Sequence, residues 1–365
     1  MMRLSTTFLI IVLALGLTLD GFARRSHLTP EQKSQLSQAQ AVLLNVLALT
    51  EDGRADATSI QQVLKDRMEE IGFSVVTDRT QDFDVELKVK CEERKTWTGT
   101  TAAGGDAELA DAPVRLWKGP ACRITYLIGG KNLGWVKEIR TPFEDAFQAA
   151  QAAQEPNSGL YALTQLQSIL KQYDFPVLLS AEWGQINRLL TLLDATETPK
   201  LRKLKILSLL SDLESEEALP HLTKLLQEKD LGKEAIEALS GVGIESIPLL
   251  IDLFQNSKQS DIKAAAAKAL GNVAGSTGDP STIPPLVEYL KAVLPNIKTS
   301  EDINFTVLTQ VVWSLGKLRD DISMEPMGQL NEKVWLIYDN SKEMRDLREA
   351  SNWTYKQLDL DGHIS

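Results

Sequence analysis

The chain's best-defined chemistry lies in its two cysteines, Cys91 and Cys122. There is no Cys-x-x-Cys pair, so catalytic thiol exchange is disfavoured. A structural disulfide is expected; the alternative is two unpaired buried thiols. The bond closes a loop of about 30 residues, worth roughly 3–4 kcal/mol in the chain-entropy model. The three histidines, His27, His221 and His363, lack ligand spacing, and His221, just after Pro220, reads as solvated. Asp359-Leu360-Asp361-Gly362 begins like a calcium loop, but no further ligand positions follow it. The sequence has no glycine-rich phosphate loop and no Gly-x-Ser-x-Gly. The acidic pairs Glu69-Glu70, Glu92-Glu93 and Glu216-Glu217 read as surface charge. No catalytic residue, metal site or cofactor is expected, and the chain does not read as an enzyme.

Trp97 and Trp117 flank a Thr-, Gly- and Ala-rich stretch, 92–120, expected to be a long loop between two strands. They anchor a partner there, or pack over the strand ends.

Composition sets the limits. The 365 residues suffice for two or three domains, and 43% hydrophobic with 24% charged residues is a globular balance. A net charge of −11 argues against non-specific nucleic-acid binding, and weakly against anionic membrane surfaces. Residues 1–23 have the form of an export signal: Arg3, an apolar run over 8–17, then Gly21-Phe22-Ala23 before Arg24-Arg25. The alternative is a retained anchor, but the run is short for a bilayer and Asp20 closes it. The address read from it is periplasmic or secreted, without stable membrane insertion after cleavage. An oxidising compartment agrees with a disulfide.

The elements that position these residues begin after a polar leader, 24–38, read as a loose segment, with a short helix opened by Thr29-Pro30-Glu31-Gln32 as the alternative. Residues 39–155 read as a small α+β domain, a mixed sheet with two helices. Residues 41–49 are an apolar run, either a buried strand or a helix. Helical spacing runs from Ile60 to Ile71, and Gly72 stops it. Strict alternation over 82–91 puts Phe83, Val85, Leu87, Val89 and Cys91 on one face of a strand. Ile124, Tyr126 and Ile128 alternate likewise, Gly129-Gly130 turns, and 133–139 returns. A second helix is expected over 143–154, and a linker helix within 156–182, where the boundary between the halves is placed. The opening β-α-β-β order weakly resembles small α/β modules of bacterial envelope proteins.

Beyond Trp183 the chain repeats itself. Leu219-Pro220-His221-Leu222, Ile247-Pro248-Leu249-Leu250 and Ile283-Pro284-Pro285-Leu286 open three similar helices, their prolines 28 and 36 residues apart. A second kind of helix aligns on Leu210, Leu239, Leu270 and Leu315, as in Ala269-Leu270-Gly271 and Ser314-Leu315-Gly316. These pieces resemble the HEAT-repeat family over about 183–319. The resemblance implies an all-α HEAT-like solenoid over 183–357, ending in an atypical helix pair and an eight-residue tail, 358–365. It also implies that the second helices line a partner-binding face. The positions two before and two after each aligned Leu face outward there: Ser208 and Asp212, Glu237 and Gly241, Lys268 and Asn272, Trp313 and Lys317. Trp313 is the expected anchor of that set, unless it is partly buried in a helix contact.

The function expected is an exported interaction scaffold or adaptor for a protein partner of the cell envelope. A periplasmic ligand-binding protein with its site near Trp97 and Trp117 is the alternative. An enzyme resembling the HEAT-like lyases that attach bilins fits poorly with an export signal and the lack of a reactive cysteine.

Overall fold

The computed structural model describes residues 28–100, 113–213, 215–228 and 230–358; of residues 94–100 and 113–118 it describes the backbone. The chain divides into two compact units, Met1–Gln185 and Ile186–Ser365. The expected leader 24–38, the linker 156–182 and the 92–120 loop all differ from what is found. The expected signal peptide and most of the tail lie outside the described residues.

Helix α1, Pro30–Gln38, opens the first unit. Thr29 and Gln32 form a reciprocal capping box, satisfying two otherwise orphaned amides. Leu36 is its one buried residue, so the described part of the supposed leader is chiefly a mostly exposed helix anchored through that side chain. Strand β1, Ala41–Thr50, and β2, Gly53–Ala55, form a tight hairpin. Helix α2, Thr58–Glu69, leads to β3, Ser74–Val76, which lies parallel to β1. Strands β4, Val85–Thr100, β5, Pro113–Ile128, and β6, Lys131–Arg140, form an antiparallel meander. The strand order is β2-β1-β4-β5-β6, with β4 parallel to β1 and β3 also on β1.

This register turns alternation into a core. Leu44, Leu87 and Tyr126 stand in one cross-strand row, and Ala48, Cys91, Cys122 and Ile139 in another. All are nearly inaccessible to solvent. The run at 41–49 is therefore a strand, buried through Val42, Leu44, Val46 and Ala48. The expected loop over 92–120 is instead, in its described part, the far ends of β4 and β5. Thr96, Thr98, Thr100 and the two tryptophans are strand-favouring types, which explains the extension.

Helix α3, Ala146–Ala152, is shorter than the 143–154 expected because Asp145, not Pro142, caps it. The supposed linker is two packed helices, α4, Ser158–Gln172, and α5, Phe175–Glu182. Asn157 caps α4 through the Leu160 amide at 2.8 Å. Trp183, taken from sequence as the start of the solenoid, is 2% exposed in the first unit's core. Its ring meets Phe73 and Tyr126 edge-on, at 5.5 and 5.6 Å between centroids. Gln185 Nε2 donates to the carbonyls of Leu36 and Ala39, at 2.9 and 2.8 Å, joining the two ends of this unit's chain. The boundary falls after Gln185 for these reasons.

The second unit alternates two classes of helix. The first class is α6, Ile186–Asp194, α8, Leu219–Leu225, α10, Ile247–Asn256, α12, Ile283–Val293, and α14, Met324–Leu336. The second is α7, Lys200–Leu210, α9, Gly232–Ala238, α11, Ser260–Thr277, α13, Phe305–Leu318, and α15, Lys342–Leu358. The helix-start prolines of α8, α10 and α12 sit in the first turn, where no intrahelical amide bond is lost. Second helices pack in chain order, α7 on α9, α9 on α11, α11 on α13, α13 on α15. The helices therefore stack in a row, each burying an apolar stripe against its neighbours. No helix among the described residues is long and apolar enough to cross a membrane.

Candidate functional site on the second helices

Close approach of the second helices depends on residues without bulk. A Cβ placed on Gly271 of α11 falls 2.5 Å from Ser314 Cβ of α13. One on Gly316 falls 2.5 Å from Thr354 Oγ1 and Trp353 Cζ3 of α15. Both distances are well inside van der Waals contact. The facing hydroxyls each donate to a backbone carbonyl three residues before the neighbour's aligned Leu. Ser314 Oγ reaches Ala267 O, and Thr354 Oγ1 reaches Val312 O, both at 2.8 Å and both buried. Buried hydroxyls need such partners, so the pairing sets helix spacing and register together.

Over this floor the expected outward residues form cross-helix rungs. Lys268 Nζ pairs with Glu237 Oε2 at 2.5 Å. Lys317 Nζ donates to Asn272 Oδ1 at 2.7 Å. Partial burial, with the Lys268 charge beside it, holds the Lys317 ammonium below the ordinary lysine value. Trp313 is half-buried, its ring 4.9 Å from that of Trp353. Trp313 is thus half of a ring pair, not an isolated anchor. Gly241 does not face outward: it is buried, and a Cβ there would overlap Leu210 O.

Two grooves lie on this face. One, of about 660 Å³, runs over the C-terminal ends of the second helices and is lined by Asp212, Asn272, Gly275, Lys317, Arg319 and Trp353 among others. The other, of about 370 Å³, runs over their N-terminal parts, by Glu237, Asp261, Lys268, Phe305, Thr309 and Glu343. Asp261 and Glu343, in the first turns of α11 and α15, and Lys317, in the last turn of α13, complement the helix dipoles, whereas Glu237 at the end of α9 and Asp212 just past α7 do not. Trp353 and Arg319 were missed from sequence. Trp353 follows Trp313 by 40 residues, a repeat-like spacing that the atypical last helix pair obscured.

In the first unit, Cys91 and Cys122 are bonded, as their directly opposed register allows. The register also sets Trp97 opposite Trp117; their side chains lie outside the described residues. Glu93, read as surface charge, is 4% exposed. Its carboxylate accepts from Ser158 Oγ at 2.7 Å and from the Glu51 amide at 2.8 Å, fastening α4 to the sheet. His221 Nδ1 lies 2.8 Å from Asp194 Oδ2, joining α8 to α6. Among the described residues, no group of three His, Cys, Asp or Glu side chains is placed to hold a metal ion.

The model for HEAT repeats matches residues 186–271. No curated protein matches the chain. Among solved structures the chain is similar to a designed armadillo repeat protein in complex with the peptide (KR)4, at 19% identity over 57% of this chain and 98% of that one, with a TM-score of 0.32. A second designed armadillo repeat protein matches at 17%, over 58% of this chain and 98% of that one, and an engineered protein at 17%, over 51% and 84%, both with TM-scores of 0.32. Scores this low carry no weight for function. Residues 186–271 thus resemble HEAT repeats, and the two alternating helix classes continue as a helical-repeat array through the described part of the second unit.

Proposed function

We propose that this protein is an exported interaction scaffold of a bacterial envelope, and that its second helices carry a protein partner. Repeat arrays of this kind suggest protein-interaction scaffolds. The observation that carries the reading is the groove of about 660 Å³ over the C-terminal ends of the second helices. It is open, floored by glycines and edged by Lys317, Arg319 and the ring of Trp353. Export is supported by the signal-like residues 1–23 and by the fully buried disulfide, a bond that persists in oxidising compartments.

The groove is tested by filling it. Gly275 is exposed, and a Cβ on it meets nothing within 4 Å. Crosslinked pull-down from a periplasmic fraction with wild-type protein is expected to recover a partner that Gly275→Trp and Lys317→Glu lose at unchanged thermal stability. Equal recovery by all three would remove the groove from the function. Recovery of the protein from cytosol with residues 1–23 intact would remove the export.

A further inference from the structure

Residues 359–365 follow α15 in sequence, and α15 ends beside the groove of about 660 Å³. This groove runs over the C-terminal ends of the second helices and the other over their N-terminal parts, so these helices lie side by side in one direction. Gly316 of α13 packs against Trp353 and Thr354 of α15. Arg319, three residues on, is therefore level with the last turn of α15, which ends at Leu358. Three extended residues span about 10 Å, the spacing of neighbouring helices, so residues 359–361 reach Lys317 and Arg319.

This end of the groove is short of negative charge. Lys317 Nζ bonds the neutral amide oxygen of Asn272, and neither Lys317 nor Arg319 pairs with a carboxylate among the described residues, Asp321 in the next turn included. Burial, and after it the Lys268 charge, hold the Lys317 ammonium below the ordinary lysine value, a setting that favours an anion beside it. Two nearby carboxylates serve their own turns: Asp320 accepts the Ile322 amide at 2.9 Å, and Asp279 the Ser281 amide at 2.8 Å. Asp212 lines the opposite end, three helix steps away. At about 8–10 Å a step, that is well beyond the roughly 8 Å over which charge is screened. The C-terminal dipoles of α13 and α15 contribute about half a negative charge each, which two full positive charges exceed.

The chain itself carries what this end lacks. Residues 359–365 read Asp-Leu-Asp-Gly-His-Ile-Ser, with two carboxylates and no Lys or Arg. We propose that this segment turns back into the groove, sets Asp359 and Asp361 by Lys317 and Arg319, and so competes with the protein partner. The competition rests on the groove being the partner's site; the docking does not. A short tether gives an effective concentration on the millimolar scale. An intrinsic dissociation constant of about 0.1 mM then keeps the groove filled most of the time, and a ligand arriving from outside binds roughly tenfold more weakly.

The test uses the full-length chain and a dye-labelled peptide, Asp-Leu-Asp-Gly-His-Ile-Ser, with binding read by fluorescence anisotropy at low salt. Asp359→Asn with Asp361→Asn in the chain frees the groove and is expected to tighten peptide binding about tenfold over wild type. Adding Lys317→Gln with Arg319→Gln, or Gly275→Trp, to that variant is expected to abolish the gain. Lys258→Gln with Lys291→Gln, the same loss of charge at exposed sites by the first class of helices, is expected to leave it within about twofold. Circular dichroism qualifies each variant as folded. Equal peptide binding by wild type and the Asp359→Asn, Asp361→Asn chain overturns the docking, and so does binding indifferent to Lys317 and Arg319. The pull-down separates this from the scaffold reading: Asp359→Asn with Asp361→Asn is expected to raise recovery of the partner that Gly275→Trp loses. A partner lost by Gly275→Trp, beside a peptide that ignores every groove variant, leaves the scaffold standing and ends the docking. A peptide that behaves as expected, beside a partner indifferent to Gly275→Trp, leaves the docking standing and ends the competition.

Discussion

Gly271 and Ser314 are in direct contact across two successive second helices: there is no room between them for a methyl group, and the Ser314 hydroxyl passes beside Gly271 to reach Ala267 O at 2.8 Å. Gly316 and Thr354 repeat the arrangement one helix further on. Spacing and hydrogen bonding are therefore set by the same pair of side chains. Gly271→Ala is expected to destabilise the helical unit by about 1–3 kcal/mol through overpacking. Ser314→Ala is expected to cost about 0.5–1.5 kcal/mol, because Ala267 O keeps its place in the helix ladder. Ser314→Gly in the Gly271→Ala background should return part of the loss. Urea unfolding of the double-mutant cycle measures this; additive effects would mean that the two residues do not share one contact.

The Cys91–Cys122 bond lies in the fully buried cross-strand row with Ala48 and Ile139. Reductant is expected to leave the folded protein oxidised and to act only as the first unit unfolds. With dithiothreitol present, the urea midpoint of that unit should fall, matching about 3–4 kcal/mol for a 31-residue separation. Rapid thiol labelling of native protein under reductant would contradict the burial.

Arg348 clamps the turn after α14. Its three nitrogens donate to Val334 O at 2.9 Å, Asp339 O at 3.0 Å and Ile337 O at 2.6 Å, and its guanidinium lies 5.4 Å from the Trp335 ring centre. Beside this clamp Trp335 and Leu336, the last residues of α14, and Tyr338 in the turn are exposed. Arg348→Met is expected to cost about 1–3 kcal/mol and to expose the turn to limited proteolysis. Arg348→Lys should not restore it, since one ammonium cannot span three carbonyls in the guanidinium's fork. Protease resistance equal to wild type would show that the turn holds by packing alone.

Two carboxylates make nearby turns sensitive to acid. Amides of Thr299 and Lys298 hold the Asp302 carboxyl below the ordinary aspartate value, and the Ser341 amide does the same for Asp339, with Ser300 adding to it. A lowered folded value means stability that is present above the ordinary aspartate value and lost as pH falls through the lower one. Amide exchange at Thr299 and Ser341 should therefore stay slow from neutral pH into mild acid, after correction for intrinsic rates. It should rise at lower pH, and Asp302→Asn should bring the rise at Thr299 to neutral pH. A pH-independent protection factor at Thr299 would dismiss the carboxylate as its source.

Much of this architecture was legible in residue order. Alternation at Val85, Leu87, Val89 and Cys91 marked a one-sided strand, and the spaced prolines at 220, 248 and 284 marked the helical array, because a side chain's face depends only on the local backbone period. Of the positions flanking the aligned leucines, Glu237 pairs with Lys268, Lys317 with Asn272 and Trp313 with Trp353, whereas Gly241 is buried.

The tertiary structure alone decided where the units divide, because that depends on partners far away in the chain. Trp183 reads as the first residue of the helical half until Phe73 and Tyr126 close on it, and Gln185 reads as polar surface until Leu36 and Ala39 offer it carbonyls. Glu93 and Trp353 were misread or missed for the same reason. Sequence periodicity reports which way a residue points, whereas the burial of a carboxylate or the stacking of an indole depends on what another segment brings to that face.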